Sequence, residues 1–374
     1  MGFERTALCI LAGGRSRRMG CDKRWLAWQQ TNFVESLLQK AQAESFAECL
    51  LCIDCETAAW QQLAARYGAR LLVDEQPDCG PLEGLHQALG AMQSGQALVL
   101  SCDMPFVTFA VLRPLLAALP GHRAALPVTG TQHQHLAALY RRELLPAVQQ
   151  ALAAGHRSLH GMLAGEDAAF VDCTAHTAEF FNVNTPQALR LAYGRVRNLE
   201  RRVPVVSVSA AHSNSGKTTF IEQLLPLLTA RGLRVSVVKS DRHALKLDPE
   251  GTDSHRFMAA GAQAVAVVSP GQLLLVQRTG PERDLFAAAQ RMEDADLVLL
   301  ESRTHGEQPI VQVVRGEEPL ADASEAIALV LSDGAAKAAD ILQLSLQQLE
   351  LAASVVCFLG GLEDEKGLLP ALDC

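Results

Sequence analysis

Two stretches carry the residue types that hold phosphate. The first is Leu11-Ala12-Gly13-Gly14-Arg15-Ser16-Arg17-Arg18-Met19-Gly20, followed by Asp22-Lys23. It comes directly after Ala7-Leu8-Cys9-Ile10, a short apolar run that reads as a buried strand. Glycines let a backbone approach an anion closely. Free N–H groups and arginines supply positive potential, and Lys23 can reach a phosphate as a point charge. A surface turn with solvated arginines is the plain alternative. Arginines at 15, 17 and 18, further glycines and a lysine in one short loop outweigh it.

The second stretch is Ser209-Ala210-Ala211-His212-Ser213-Asn214-Ser215-Gly216-Lys217-Thr218-Thr219. It follows an expected strand, Val203–Val208, and precedes an expected helix, Phe220–Ala230. This is a P-loop in which Ala211 replaces the first glycine of G-x-x-x-x-G-K-[ST]. Its N–H groups, from Ser213 through Thr219, would cradle the phosphates. Lys217 would reach the β- and γ-phosphates, and Thr218 would hold Mg2+. A bare Gly-Lys-Thr is weak; the strand before it and the amphipathic helix after it make it strong.

Such loops need strands to present them. The first half alternates expected strands (Cys49–Asp54, Ala69–Val73, Ala97–Leu100) with expected helices (Asn32–Ala43, Thr57–Tyr67). That alternation predicts a parallel sheet with right-handed crossovers. Ligands in such sheets sit at the carboxyl ends of the strands. Asp54, Asp74 and Asp103 all fall there. Gly80-Pro81 opens another helix, and a further apolar strand ends at Glu301. The expected fold class is α/β: two doubly wound three-layer domains, an N-terminal Rossmann-like domain and a C-terminal P-loop domain.

"LAGGRSRRMGCDKRWL" resembles the signature of sugar-nucleotide-type nucleotidyltransferases, and most closely the molybdenum cofactor guanylyltransferases (MobA). The resemblance extends to "GPLEG", to "CDMP" and to "FFNVNTP", and covers about residues 6–192. It implies GMP transfer from GTP to the terminal phosphate of molybdenum-bearing molybdopterin, with release of pyrophosphate. Catalytic roles would fall to Lys23, Arg17 and Asp103. Leu11, Ala12, Gly13, Gly14, Arg15, Lys23, Asp54, Asp74, Gly80, Pro81 and Asp103 would bind nucleotide. Asp103 would hold Mg2+, and Asn182 or Asn184 would face the pterin. The chain departs from the family after the lysine, where Gln30-Thr31-Asn32 replaces a Gly-Lys-Pro turn, and the family's asparagine after the second strand has no clear counterpart, Asp54 being nearest.

The second half resembles MobB, the GTP-binding accessory protein of the same pathway. The likeness rests on the P-loop, on the strand Val235–Lys239 and the basic loop after it, on "GTDSHRFMAAGA", and on Glu301 as the acid that holds Mg2+ through water. Ser302 replaces the family's glycine. Asp253 and Ser254 would be nucleotide-side residues, or Asp253 a helix cap. The expected division is 1–192 transferase, 193–203 a polar linker, 204–362 P-loop domain and 363–374 a tail. The role of the second domain stays open among slow GTP hydrolysis, nucleotide delivery and hand-over of the finished cofactor to an apoenzyme. A cytidylyl- or sugar-1-phosphate transferase, or a non-catalytic nucleotide sensor, remain the rival readings.

Composition bounds these readings. The 374 residues are 49% hydrophobic and 20% charged, enough for two real cores. A net charge of −8 argues against a bulk nucleic-acid binder. No signal peptide or bilayer-length apolar run is visible, so a cytoplasmic protein with reduced thiols is expected. Cys49, Cys52 and Cys55 have C-x-x-C-x-x-C spacing, but a strand would turn Cys52 away from the other two. His133 and His135 read as an exposed polar loop rather than a metal chelate.

Overall fold

The computed structural model describes residues 2–13, 19, 22–75, 80–163, 166–212, 215–241, 251–280, 284–302, 306–316, 320, 326–334 and 338–363. Its first half begins with β1 (Ala7–Leu11), fully apolar and buried. A two-residue pair follows, β2 (Ala27–Trp28) and β3 (Thr31–Asn32). Asn32 then caps α1 (Phe33–Gln42) by accepting from Glu35 N at 2.9 Å. Next come β4 (Glu48–Ile53), α2 (Ala58–Tyr67) and β5 (Arg70–Val73). Gly68, at φ +64°, ends α2 in the left-handed conformation that favours glycine. The chain continues with α3 (Pro81–Ala91), β6 (Gln96–Ser101), α4 (Phe109–Leu112), α5 (Pro114–Ala118), β7 (Ala124–Thr129), β8 (Gln132–His133) and β9 (Ala137–Arg141). It closes with α6 (Leu145–Ala153), α7 (Leu159–Leu163), β10 (Ala168–Asp172) and α8 (Pro186–Leu199).

The strands order as β10-β7-β9-β6-β1-β4-β5, with β8 on β7. β1 sits in the middle, parallel to β4 and β6. The sheet is mixed, which corrects the all-parallel expectation. β9 runs antiparallel to both β6 and β7, because a short loop after β8 returns the chain without a helical crossover. Apolar side chains cover both faces: Leu8, Ile10, Leu51 and Leu98 on one, and Cys9, Leu50, Val99 and Leu82 on the other.

The second half holds β11 (Val205–Ser209), α9 (Lys217–Thr229), β12 (Val235–Lys239), α10 (Asp253–Ala259), the hairpin β13 (Ala264–Ser269) and β14 (Gln272–Gln277), and α11 (Leu285–Gln290). It ends with β15 (Leu297–Glu301), β16 (Ile310–Val314), β17 (Ile327–Ser332), β18 (Leu342–Ser345) and α12 (Leu349–Leu359). The order β12-β15-β11-β16-β17-β18 is parallel at every pairing. Near-continuous Val, Ile and Leu runs in β15, β16 and β17 suit a sheet buried on both faces. The expected helix Phe220–Ala230 starts earlier, at Lys217, because Gly216 at φ +89° turns the loop straight into it. Among the described residues no helix is long and apolar enough to cross a membrane.

The segment read as a linker is the main correction. Residues 193–199 continue α8, and Gly194, Arg195 and Asn198 are buried. Helix α8 packs on α12 and β17 of the second half. An added Cβ at Gly194 would lie 2.6 Å from Leu359 and 3.1 Å from Pro309. Asn198 Nδ2 donates to Val205 O at 3.1 Å and Leu359 O at 2.7 Å. Pro309, Ala328 and Val205 all lie at the amino ends of their strands. The first half therefore meets the second sheet at the end of the strands opposite the P-loop. The tail reading is also revised at its first residue, since Glu363 Oε2 accepts from Ala178 N at 3.0 Å; residues 364–374 lie outside the described residues.

Candidate functional site

Lys23 organises the first site. Asp22 accepts from Arg24 N at 3.1 Å and fixes a short turn that holds Lys23 at the carboxyl end of the first sheet. Lys23 Nζ donates to Asp103 Oδ2 at 2.6 Å and to Asn184 Oδ1 at 2.8 Å. Burial alone would push the Lys23 ammonium down, but the Asp103 carboxylate overrides it and raises its pKa. Lys23 is therefore a fixed positive charge. Asp103 follows β6, and its carbonyl accepts from Val183 N at 2.8 Å. Its other carboxylate oxygen, Oδ1, is buried without a hydrogen-bond partner. An orphaned, buried carboxylate oxygen beside a lysine suits a divalent cation, whose ligands are hard oxygens.

The walls of this site come from β1, β4, β5 and α3. Leu11 ends β1, and Ala12 N donates to Cys52 O at 2.8 Å. Gly13 is needed for proximity, since a Cβ there would lie 2.8 Å from Asp74 Oδ2. Asp74 lies at the end of β5; burial, then the neighbouring Glu83 and Asp54, raise its carboxyl to about 6. Gly80, at φ +71°, packs against Arg157 O and hands the chain to Pro81 at the start of α3. The structure thus brings Leu11, Ala12, Gly13, Lys23, Asp54, Asp74, Gly80, Pro81, Asp103 and Asn184 to one end of one sheet. Asn182 is not joined to Lys23: its Nδ2 donates to Phe180 O at 3.2 Å. Gly14, Arg15 and Arg17 lie outside the described residues.

Three residues of this site were not singled out from the sequence. Arg24 Nη1 donates to Ala12 O at 3.1 Å and to Asp54 Oδ1, and its Nε and Nη2 reach Asp22, each at 2.7 Å. It ties the first loop to Asp54, and its place beside Lys23 was the available signal. Glu83, buried on the first turn of α3, accepts from Gln87 Nε2 at 2.8 Å and from Glu75 N at 3.3 Å. Lys40, on α1, donates to Pro105 O at 2.7 Å and Val107 O at 3.0 Å, bracing the loop after Asp103. Nothing local in the sequence of α1 marks that role.

The second site forms at the carboxyl ends of β11 and β15. Lys217 Nζ donates to His212 O at 3.1 Å, folding back across the loop. Thr218 Oγ1 donates to Glu301 Oε1 at 3.0 Å, while Lys239 Nζ lies 3.7 Å from Glu301 Oε2. The hydroxyl and the acid expected around a divalent cation therefore meet across 83 residues. Ser215 Oγ donates to His212 O at 3.1 Å. Thr219 is exposed on α9, and Ser213 and Asn214 lie outside the described residues. Arg315, also missed from the sequence, follows β16 and lays its guanidinium on Gly216, with Nη2 2.9 Å from an added Cβ. Asp253 stands in the first turn of α10, where Thr252 is the cap, and pairs with Arg256 at 3.3 Å.

Cys52 is buried and points to Cys9 Sγ, 3.5 Å away, whereas Cys55 is exposed beyond the strand. His133 is exposed on β8 and stacks on Phe170 at 4.6 Å.

The model of the MobA-like NTP transferase domain matches residues 8–169, and that of molybdopterin guanine dinucleotide synthesis protein B matches residues 205–333. The probable molybdenum cofactor guanylyltransferase of Chloroflexus aggregans is 37% identical over 197 residues, 49% of this chain and 90% of that protein. The molybdenum cofactor guanylyltransferase of Pseudomonas putida is 32% identical over 187 residues, 49% of this chain and 95% of that protein. The chain belongs to the molybdenum cofactor guanylyltransferases in its first half and to the MobB family in its second. For the MobB half, the molybdopterin-guanine dinucleotide biosynthesis adapter protein of Haemophilus influenzae is 32% identical over 139 residues, 36% of this chain and 78% of that protein. The Lys23–Asp103–Asn184 cluster lies in the guanylyltransferase half; the Thr218–Glu301 pair lies in the MobB half.

Proposed function

We propose that the chain transfers GMP from GTP to the terminal phosphate of molybdenum-bearing molybdopterin. The acceptor's phosphate oxygen bonds to the α-phosphorus, the bond from that phosphorus to the β-phosphate bridging oxygen breaks, and pyrophosphate leaves. The acceptor is itself the nucleophile, so no residue forms a covalent intermediate. What remains for the protein is positioning and charge neutralisation.

One observation carries this reading: Lys23 gripping both Asp103 and Asn184 while Asp103 Oδ1 is left orphaned. Asp103 is the residue to hold Mg2+, which when bound would neutralise triphosphate charge and favour departure of pyrophosphate. Lys23 faces the same charge as a protonated donor. Asn184 orients Lys23 and borders the acceptor side, with Asn182 beside it. Gly13, Gly80 and the Arg24-braced loop admit the nucleotide, and the Asp74 carboxylate accepts the N–H donors of the guanine edge. Arg15 and Arg17 complete the phosphate loop.

In the second half, Lys217, Thr218 and Glu301 hold a second GTP with its Mg2+. This half acts as the accessory of the same synthesis, in nucleotide delivery or cofactor hand-over. GTP, molybdopterin and the proteins that make or receive the cofactor are the partners, and the cytoplasm is the compartment where they meet. The test is incubation with GTP, Mg2+ and molybdenum-loaded molybdopterin, followed by mass analysis. A product heavier by one GMP, stoichiometric pyrophosphate and loss of both in Asp103→Ala are expected; transfer from CTP in preference to GTP would overturn the reading.

A further inference from the structure

The strand-free segment that carries Asn184 is held from the other half of the chain. Glu363 Oε2 accepts from Ala178 N at 3.0 Å. The Phe358 ring, at the end of α12, lies 4.4 Å from Phe181 and 5.7 Å from Phe106 between centroids. Arg195 of α8 passes between these groups. Its guanidinium carbon stands 5.4 Å over Phe106 and 4.8 Å over Phe358. Its Nη1 donates to Phe358 O at 3.0 Å and to Leu362 O at 2.8 Å. Phe358 O, which also accepts from Gly361 N at 3.0 Å, lies in the last turn of α12, and Leu362 O lies just beyond it, where a cation is favoured. Helix α8 starts two residues after Asn184, with Thr185 as its cap. A continuous run of contacts therefore leads from Phe358 and Glu363, through residues 178–184, to Lys23 and Asp103.

We infer that Arg195, Phe358 and Glu363 are positioning residues for guanylyl transfer, so that the MobB half sets the geometry of the guanylyltransferase centre. The inference rests on reading Lys23, Asp103 and Asn184 as that centre. The physical reason is local. Residues 181–185 contain no regular element, and such segments are mobile unless packed. Phe106 and Phe181 belong to one buried cluster with Phe358, α9 and the second sheet. A displacement of about 1 Å in a positioned group can cost roughly a hundredfold in rate.

The test uses the full chain with Glu363→Ala, Glu363→Gln, Arg195→Met and Arg195→Lys, and Asp103→Ala beside them. Steady-state transfer is measured with GTP and with molybdenum-loaded molybdopterin varied in turn, and thermal unfolding reports integrity. Folded Glu363→Ala and Arg195→Met should lose roughly tenfold or more in kcat, with the KM for GTP changed by less than about twofold. Glu363→Gln, which keeps an oxygen for Ala178 N, should retain the parent kcat. Parent-like kcat in folded Glu363→Ala would overturn the inference. Should Arg195→Met fail to fold, the Glu363 pair decides. Retained transfer in Asp103→Ala would instead remove the reading of the centre itself.

Discussion

Lys23 and Asp103 stand 2.6 Å apart although 80 residues separate them, and the contact is four-fifths or more shielded from solvent on both sides. Removing either partner strands the other charge. Lys23→Ala and Asp103→Ala should each lower kcat for guanylyl transfer by roughly a hundredfold or more. Lys23→Ala should also destabilise the fold by about 3 kcal/mol, because an uncompensated carboxylate stays buried. Paired rate assays and denaturant titrations read both effects. A Lys23→Ala chain with unaltered rate would exclude Lys23 from the reaction.

Asp74 gives a pH signature. Its folded pKa, about 6, lies above the unfolded carboxylate value of about 3.9. The folded state thus holds the proton more tightly, and this contribution to stability is present below about pH 4 and lost as pH rises through about 6. Asp74→Asn should therefore be more stable than the parent at pH 7.5, with the difference shrinking towards pH 4. In the parent, GTP affinity at the first site should rise through pH 6 as the carboxylate ionises. In Asp74→Asn it should be weaker and flat. Melting curves and calorimetric GTP titrations across pH 5–8 check both, ideally with Lys217→Ala silencing the second site.

Arg315 makes the P-loop site depend on a residue 98 positions beyond Lys217. Its guanidinium rests on Gly216 and points a permanent charge at the loop. Arg315→Ala should weaken GTP binding there by roughly tenfold or more, in line with about 1.5–3 kcal/mol for a charge-assisted hydrogen bond. GDP should be affected less than GTP. Gly216→Ala should abolish binding, since its φ of +89° and the overlying guanidinium both oppose a side chain. Fluorescent-nucleotide titration distinguishes these outcomes.

The buried face of α8 predicts cooperative unfolding. Gly194 has no room for a methyl group against Leu359 and Pro309. Gly194→Ala should destabilise by about 1–3 kcal/mol through overpacking. Calorimetry should give one transition for both halves, shifted downward as a whole. Two transitions, with only one shifted, would show that the halves melt separately.

Much of this arrangement was legible in the sequence, for identifiable reasons. Strand β1, Gly13 and Lys23 were readable because a buried strand that breaks into glycine and charge has few other uses, whereas Asp103 follows a strand with no glycine and its role was implied by the family resemblance. Gly216-Lys217-Thr218 were readable for the same reason, and Glu301, like Asp103, was implied by the resemblance. Antiparallel β9 was not legible: four of its five residues are buried, as in the parallel strand β1, so its burial pattern does not show its direction. The helical continuation over 193–199 was hidden by arginines. Arg195 looks like a linker charge until its rings and carbonyls are in place. Arg24, Lys40 and Arg315 act through tertiary contacts 12 to 99 residues distant, which spacing alone does not encode.

The place where α8 crosses the second sheet fixes which end of that sheet is left open. The helix meets the amino ends of those strands, while Lys217, Thr218 and Glu301 open from the other edge. A strand of five residues spans about 16 Å, so the body of the sheet stands between helix and loop. Joining the halves in one polypeptide guarantees equal numbers of each and a shared address.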